Sequence, residues 1–247
     1  MFQWKLFRRY TAPLVILLAF ATSCSSTGDG KEEKASIPPW SISFRWSADS
    51  GIDLQSPDMQ IVRATIESNT IAEFLDRDYG YPGWRYVDDG GNYDAVRDHP
   101  MRAGVGTAYL HLKLDHDSRW IVCKDMSETA TKVDGKYPYP DPANRKQNLE
   151  AIAIGLAGEV DSTAKNSQPA KVPSGPIIPG PPDRSARPNH DVFSRFALVH
   201  YQYEYDNYRK PCVDWAESRW GGPQPPKPTR TENEPPKIEP FSPGWAE

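Results

Sequence analysis

Fifteen of the chain's 25 prolines fall in two short segments, seven within residues 161–191 and eight within 222–247. Proline fixes φ and removes an N–H donor, so neither segment can sustain a helix or a central strand. The first is expected to be a disordered loop and the second a disordered tail. Hydrophobic residues make up only 38% of the chain, below the globular norm, which agrees with a substantial unpacked fraction. What remains, residues 40–160 and 192–221, is roughly 150 residues, enough for one core. Pro173, Pro176, Pro179 and Pro182 repeat every three residues, along one edge of a polyproline II helix. This reads as a solvated loop, with a peptide-binding ridge as the sharper alternative. Pro225-Pro226-Lys227-Pro228-Thr229-Arg230 has the form that SH3-type grooves accept, although a proline-rich tail produces such a match by chance.

Within the remainder, Ser56-Pro57-Asp58 is a helix start, with a capping hydroxyl, proline at the first helical position and an acid in the first turn. Met59, Val62, Ile66, Phe74 and Leu75 follow at near-helical spacing, predicting a helix over 57–75 that stops at "DYGYPGW". A second start at Asp141-Pro142, with Leu149, Ile152, Leu156 and Val160 on one face, predicts another helix, against the cost of Gly155 and Gly158. In "TAYLHLKLDHD", Leu110, Leu112 and Leu114 alternate with polar positions, and "RWIVCK" follows a turn-like segment, so the two form a hairpin. "FSRFALVHYQYEYDNY" is the longest strand candidate, with Val199, Tyr201, Tyr203 and Tyr205 on one face. The fold class expected is α+β: one or two helices packed on an antiparallel sheet, with a long proline loop and tail. An early helix and long strands are also compatible with an NTF2-like cone, an analogy of fold that implies no function.

The N-terminus says where the protein works. Residues 1–10 carry Lys5, Arg8 and Arg9, and "TAPLVILLAFA" at 11–21 is an apolar run of signal-peptide length, too short to cross a bilayer. Ala21-Thr22-Ser23-Cys24, followed by a Ser/Thr/Gly stretch, resembles the lipobox of bacterial lipoproteins, over about the first 30 residues only. The resemblance implies that residues 1–23 are a signal peptide and that Cys24 becomes the acylated first residue. It also implies that 24–39, "CSSTGDGKEEKASIPP", tethers residues 40–221 to the outer face of the cytoplasmic membrane. One departure is Ala21, where the family prefers leucine. Ala19-Phe20-Ala21 also fits ordinary secretion with cleavage after Ala21, and Arg8-Arg9 fits the start of a twin-arginine signal without the rest of it. The proline and glycine usage and the polar tether resemble, in style, surface lipoproteins of actinobacteria.

An exported chain with three cysteines has an odd one over. If Cys24 carries lipid, Cys123 and Cys212 remain to pair in an oxidising compartment. The other readings are two buried reduced thiols, or a redox-active pair, which lacks Cys-x-x-Cys spacing. Removing the three leader cations turns the net charge of -4 into -7, with 26 basic against 33 acidic side chains. A chain so acidic has no general attraction to phosphate backbones, so nucleic acid is not an expected partner.

Catalytic motifs are scarce. Ser162-Thr163-Ala164-Lys165 matches the Ser-x-x-Lys of penicillin-binding proteins over four residues, but no Lys-Thr-Gly accompanies it and the match is read as chance. Asp88, Asp89, Asn92 and Asp94, and Asp115-His116-Asp117, gather oxygen ligands without the spacing of an EF-hand; no metal and no cofactor is expected. His99, His111, His116, His190 and His200 are scattered singly and read as solvated or hydrogen-bonded side chains. Tyr201, Tyr203 and Tyr205 are a candidate ligand face for a sugar or an apolar molecule, the plainer reading being aromatics that fill a sheet's core face. The expectation is a lipid-anchored envelope protein, not an enzyme, that binds an envelope protein or glycan. The alternatives are an envelope hydrolase with an unrecognised carboxylate site and a purely structural surface lipoprotein.

Overall fold

The computed structural model describes residues 36–87, 101–114, 120–140, 148–159, 170–193, 196–203 and 210–246. Alternation builds the first strand. In β1 (Trp40–Ala48), Trp40, Ile42, Phe44 and Trp46 point into the core while Ser41, Ser43, Arg45 and Ser47 occupy the other side. A turn at Asp49–Ile52, closed by the Ile52 N–H on the Asp49 carbonyl at 3.2 Å, carries Gly51 at φ +88°, a conformation glycine adopts without cost.

The expected helix follows as α1 (Pro57–Phe74), with Pro57 and Asp58 in its first turn. The Ser56 hydroxyl, however, donates to the Asp53 carbonyl at 2.9 Å instead of capping the helix. Beyond it come a 3-10 turn (Arg77–Tyr79), capped by Asp76, and the short α2 (Trp84–Val87). Then follow β2 (Gly104–Leu114), β3 (Trp120–Asp125), β4 (Thr129–Thr131), β5 (Leu149–Glu159), β6 (Phe196–Tyr203) and α3 (Lys210–Trp220).

The fold is α+β, with the sheet ordered β1-β2-β3-β5-β6 and β4 pairing with β2 beyond the end of β3. The expected β2–β3 hairpin is present, and β3–β5 and β5–β6 are antiparallel. The sheet is nevertheless mixed, because β1 runs parallel to β2. The β1–α1–β2 connection permits this: a parallel pair needs a crossover, and the helix supplies it. Gly106, at φ +128°, sits where the chain after β3 crosses β2; a Cβ there would collide with the Glu128 carbonyl, which accepts the Thr107 N–H at 3.2 Å.

Two further expectations need correction. Residues 149–159, read as part of a helix, form β5. Here large Ile152 and Ile154 alternate with small Ala151 and Ala153, and all four are covered by one core or the other. A strand buried on both faces reads as a continuous apolar run, which period alone cannot separate from a helix. The Asp141-Pro142 start lies outside the described residues.

The second correction concerns the prolines. Residues 170–191 and 222–246, within the segments expected to be disordered, are packed against the domain. Part of their contact lies along the outer edge of β1. The Trp40 N–H donates to the Ser174 carbonyl at 2.6 Å, the Trp46 N–H to the Ser242 carbonyl at 2.8 Å, and the Ser242 N–H to the Phe44 carbonyl at 3.1 Å. Single non-proline residues thus cover a strand edge, a place where proline-flanked chain needs to supply few donors. Phe241 packs edge-on against Phe44, and Trp245, 2% exposed, against Tyr81.

Two cores result. One lies between the sheet and α1 and takes in Val62, Ile66, Leu110, Val122 and Ile152 with the tail's Phe241 and Trp245. On the opposite face α3 packs Ala216 and Trp220 over Ile121, Leu149 and Ala151. Residues Ser36–Glu247 form one compact unit, which therefore begins slightly before the expected boundary at residue 40.

Candidate functional site

Cys123 and Cys212 are joined by a disulfide, their Cα atoms 5.3 Å apart, which fastens the first turn of α3 to the middle of β3. The other end of α3 is held by charge. Asp125, fully buried, accepts from Arg219 Nε at 3.0 Å and from Trp220 Nε1 at 2.7 Å, while Arg219 also reaches Glu128 at 3.1 Å and lies 3.9 Å over the Tyr109 ring.

Beneath α3 the register of β1 and β2 sets Ser47 opposite His111. Ser47 Oγ lies 2.9 Å from His111 Nδ1, and His111 Nε2 lies 3.0 Å from Asp49 Oδ1. The Trp215 ring stacks on the imidazole at 5.4 Å and 12°. The ring is thus buried and fixed, while Ser47 and Asp49 remain open to solvent. With the Nε2 proton given to Asp49, the Nδ1 lone pair faces the Ser47 hydroxyl. This is the order of nucleophile, base and orienting carboxylate found in hydroxyl-activating sites. Of the two expectations for His111, solvated or hydrogen-bonded, the structure shows the hydrogen-bonded one. The strand pattern identified its polar face correctly but could not show that α3 covers it.

A second polar cluster is fully internal. Glu67, on α1, accepts from Trp46 Nε1 at 2.7 Å, from Trp245 Nε1 at 3.2 Å and from the Tyr81 hydroxyl. Arg63, one turn earlier, donates to the Gly244 carbonyl at 2.9 Å and lies 4.3 Å from the Trp245 ring centre. Burial is the largest influence on each group: it raises Glu67 and Tyr81 above their usual ranges and lowers Arg63. Each polar atom faces protein, so the cluster joins helix, sheet and tail and is not a ligand site. Lys124, likewise buried, reaches Glu73 at 3.0 Å and Glu150 at 2.7 Å. Burial alone would lower its pKa, but the two carboxylates outweigh it and the ammonium is held charged.

The other sequence candidates are dispersed. Register sets Tyr201 beside Ile154 and Tyr203 beside Ile152. Cys24, Tyr205, Ser162, Lys165, the Asp88–Asp94 cluster, His99 and His116 lie outside the described residues. His190 is exposed, 3.1 Å from Asn189. Among the described residues, no group of three or more His, Cys, Asp or Glu is placed to hold a metal ion, and no helix is long and apolar enough to cross a membrane. No family model, no curated protein and no solved structure matches the chain.

Proposed function

We propose that the protein is a lipid-anchored module of the outer face of the cytoplasmic membrane, acylated at Cys24, that acts by binding an envelope protein or glycan. The observation that carries this reading is the Cys123–Cys212 disulfide. It belongs to an oxidising compartment, and it leaves Cys24, behind an export-type leader, as the odd cysteine. Detergent partitioning of the native protein tests it: the wild type is expected in the detergent phase and Cys24→Ser in the aqueous phase. Equal partitioning of the two contradicts the anchor.

A second reading, an envelope hydrolase, is favoured by Ser47, His111 and Asp49. Attack of Ser47 Oγ on an ester carbonyl would pass its proton to His111 Nδ1, which would return it to the leaving alkoxide. Water would then release the acyl group by the same path. Ser47 lies on a strand, not at the strand-to-helix elbow that presents backbone donors to an oxyanion, so binding ranks first. Ester turnover by the purified protein that falls at least about a hundredfold in Ser47→Ala would reverse that order; turnover unchanged in Ser47→Ala removes the second reading.

A further inference from the structure

Among the described residues the two most exposed large apolar side chains are Ile177, 94% exposed, and Val172, 79%, and both lie in one loop beside Ile37, 38% exposed. The loop is held in place. The Ser174 hydroxyl donates to the Ile37 carbonyl at 2.7 Å and the Pro38 carbonyl at 3.0 Å, and Ser174 bridges Pro39 through the backbone. Ile178 packs against the core while its neighbour Ile177 faces out. Between loop and β1 runs an apolar groove of about 270 Å³ floored by Trp40, Ile42 and Phe241. Lys171, the residue before Val172, is 59% exposed with its ammonium 3.0 Å from Asp78, and Arg85 is equally exposed on the other side of that carboxylate.

We infer that this patch is a membrane-docking surface that rests on the phospholipid bilayer and orients the domain upon it. The inference rests on the proposed acylation of Cys24. Twelve residues, 24–35, separate that cysteine from Ser36, where the described structure starts. Twelve residues reach at most about 40 Å, so the chain enters the domain within that distance of the lipid, at Ile37 and the loop bonded to it. Exposed aliphatic side chains bordered by cations suit the boundary between acyl chains and phosphate headgroups. The orientation has a consequence for the Ser47–His111–Asp49 cluster. The patch adjoins the start of β1 and the cluster its end, roughly 25 Å further along at about 3.3 Å per strand residue. Docking would thus present that cluster away from the bilayer.

The test uses the full-length native protein in vesicles of phosphatidylethanolamine and phosphatidylglycerol, doped with a phospholipid carrying a photoreactive group in its acyl chain. Adducts are expected on the N-terminal peptide and on peptides containing Ile37 and residues 172–177. The double variant Val172→Asp/Ile177→Asp should lose the domain adducts by at least about tenfold while keeping the N-terminal ones, and Val172→Ser/Ile177→Ser should show an intermediate loss. All these positions are at the surface, so unchanged thermal midpoints confirm that the variants fold. Adducts confined to the N-terminal peptide overturn the docking and leave the anchor standing. An intact mass without acyl chains at Cys24 overturns the anchor and the docking together.

Discussion

Glu67 is where stability and burial pull against each other. Burial raises its carboxyl pKa, while Arg63, Tyr81, Trp46 and Trp245 pull it back without fully compensating. A folded-state pKa above the unfolded value means that the folded protein holds the proton more tightly. That stability is fully present below the unfolded value of 4.5 and is lost as pH rises through the folded one. Denaturation midpoints of wild type and Glu67→Gln, followed from pH 4 to pH 8, should therefore converge or cross as pH rises, and a gap independent of pH would contradict this. Glu67→Ala, which strands Arg63, should cost about 3–5 kcal/mol by chemical denaturation. Little of this was legible in the sequence. Glu67 and Lys124 look like ordinary surface residues of their elements, and only the wrapping of α1 by the tail and of β3 by β5 puts them inside.

At the scale of elements, short-range signals were readable and long-range ones were not. The α1 start is written in Ser56-Pro57-Asp58, and the β2–β3 hairpin in the leucine alternation. The Trp40, Ile42, Phe44, Trp46 alternation of β1 and the spacing of Cys212, Ala216 and Trp220 on α3 are equally visible signals. β5 was misread because burial on both faces erases the period that distinguishes a strand. The tail was misread for a different reason. Its prolines exclude regular structure but not packing, and Phe241 and Trp245 mark where packing happens. Trp245→Ala should lower stability by about 3–5 kcal/mol, measured by thermal or chemical denaturation. Removing residues 240–247 should cost more, since it also uncovers the β1 edge; a truncated chain as stable as the full one would show the tail to be dispensable.

Across the whole molecule, the disulfide joins the sheet to the helix that covers its second face and the His111 cluster. The bridged residues are 89 apart in sequence, and in the chain-entropy picture closing so long a loop contributes about 4–5 kcal/mol, comparable to the net stability of a small domain. Reduction should therefore lower the thermal midpoint steeply and expose Trp215 to solvent quenchers, whereas an unchanged midpoint would make the bridge incidental. The central claim concerns how three cysteines are used, one for lipid and two for each other. The measurement that tests it most directly is the intact mass of the native protein after alkylation without reduction. The expected result is a chain beginning at Cys24, carrying acyl groups and taking up no alkylating reagent. A chain beginning at Thr22, with no acyl groups and one alkylated thiol, would contradict it.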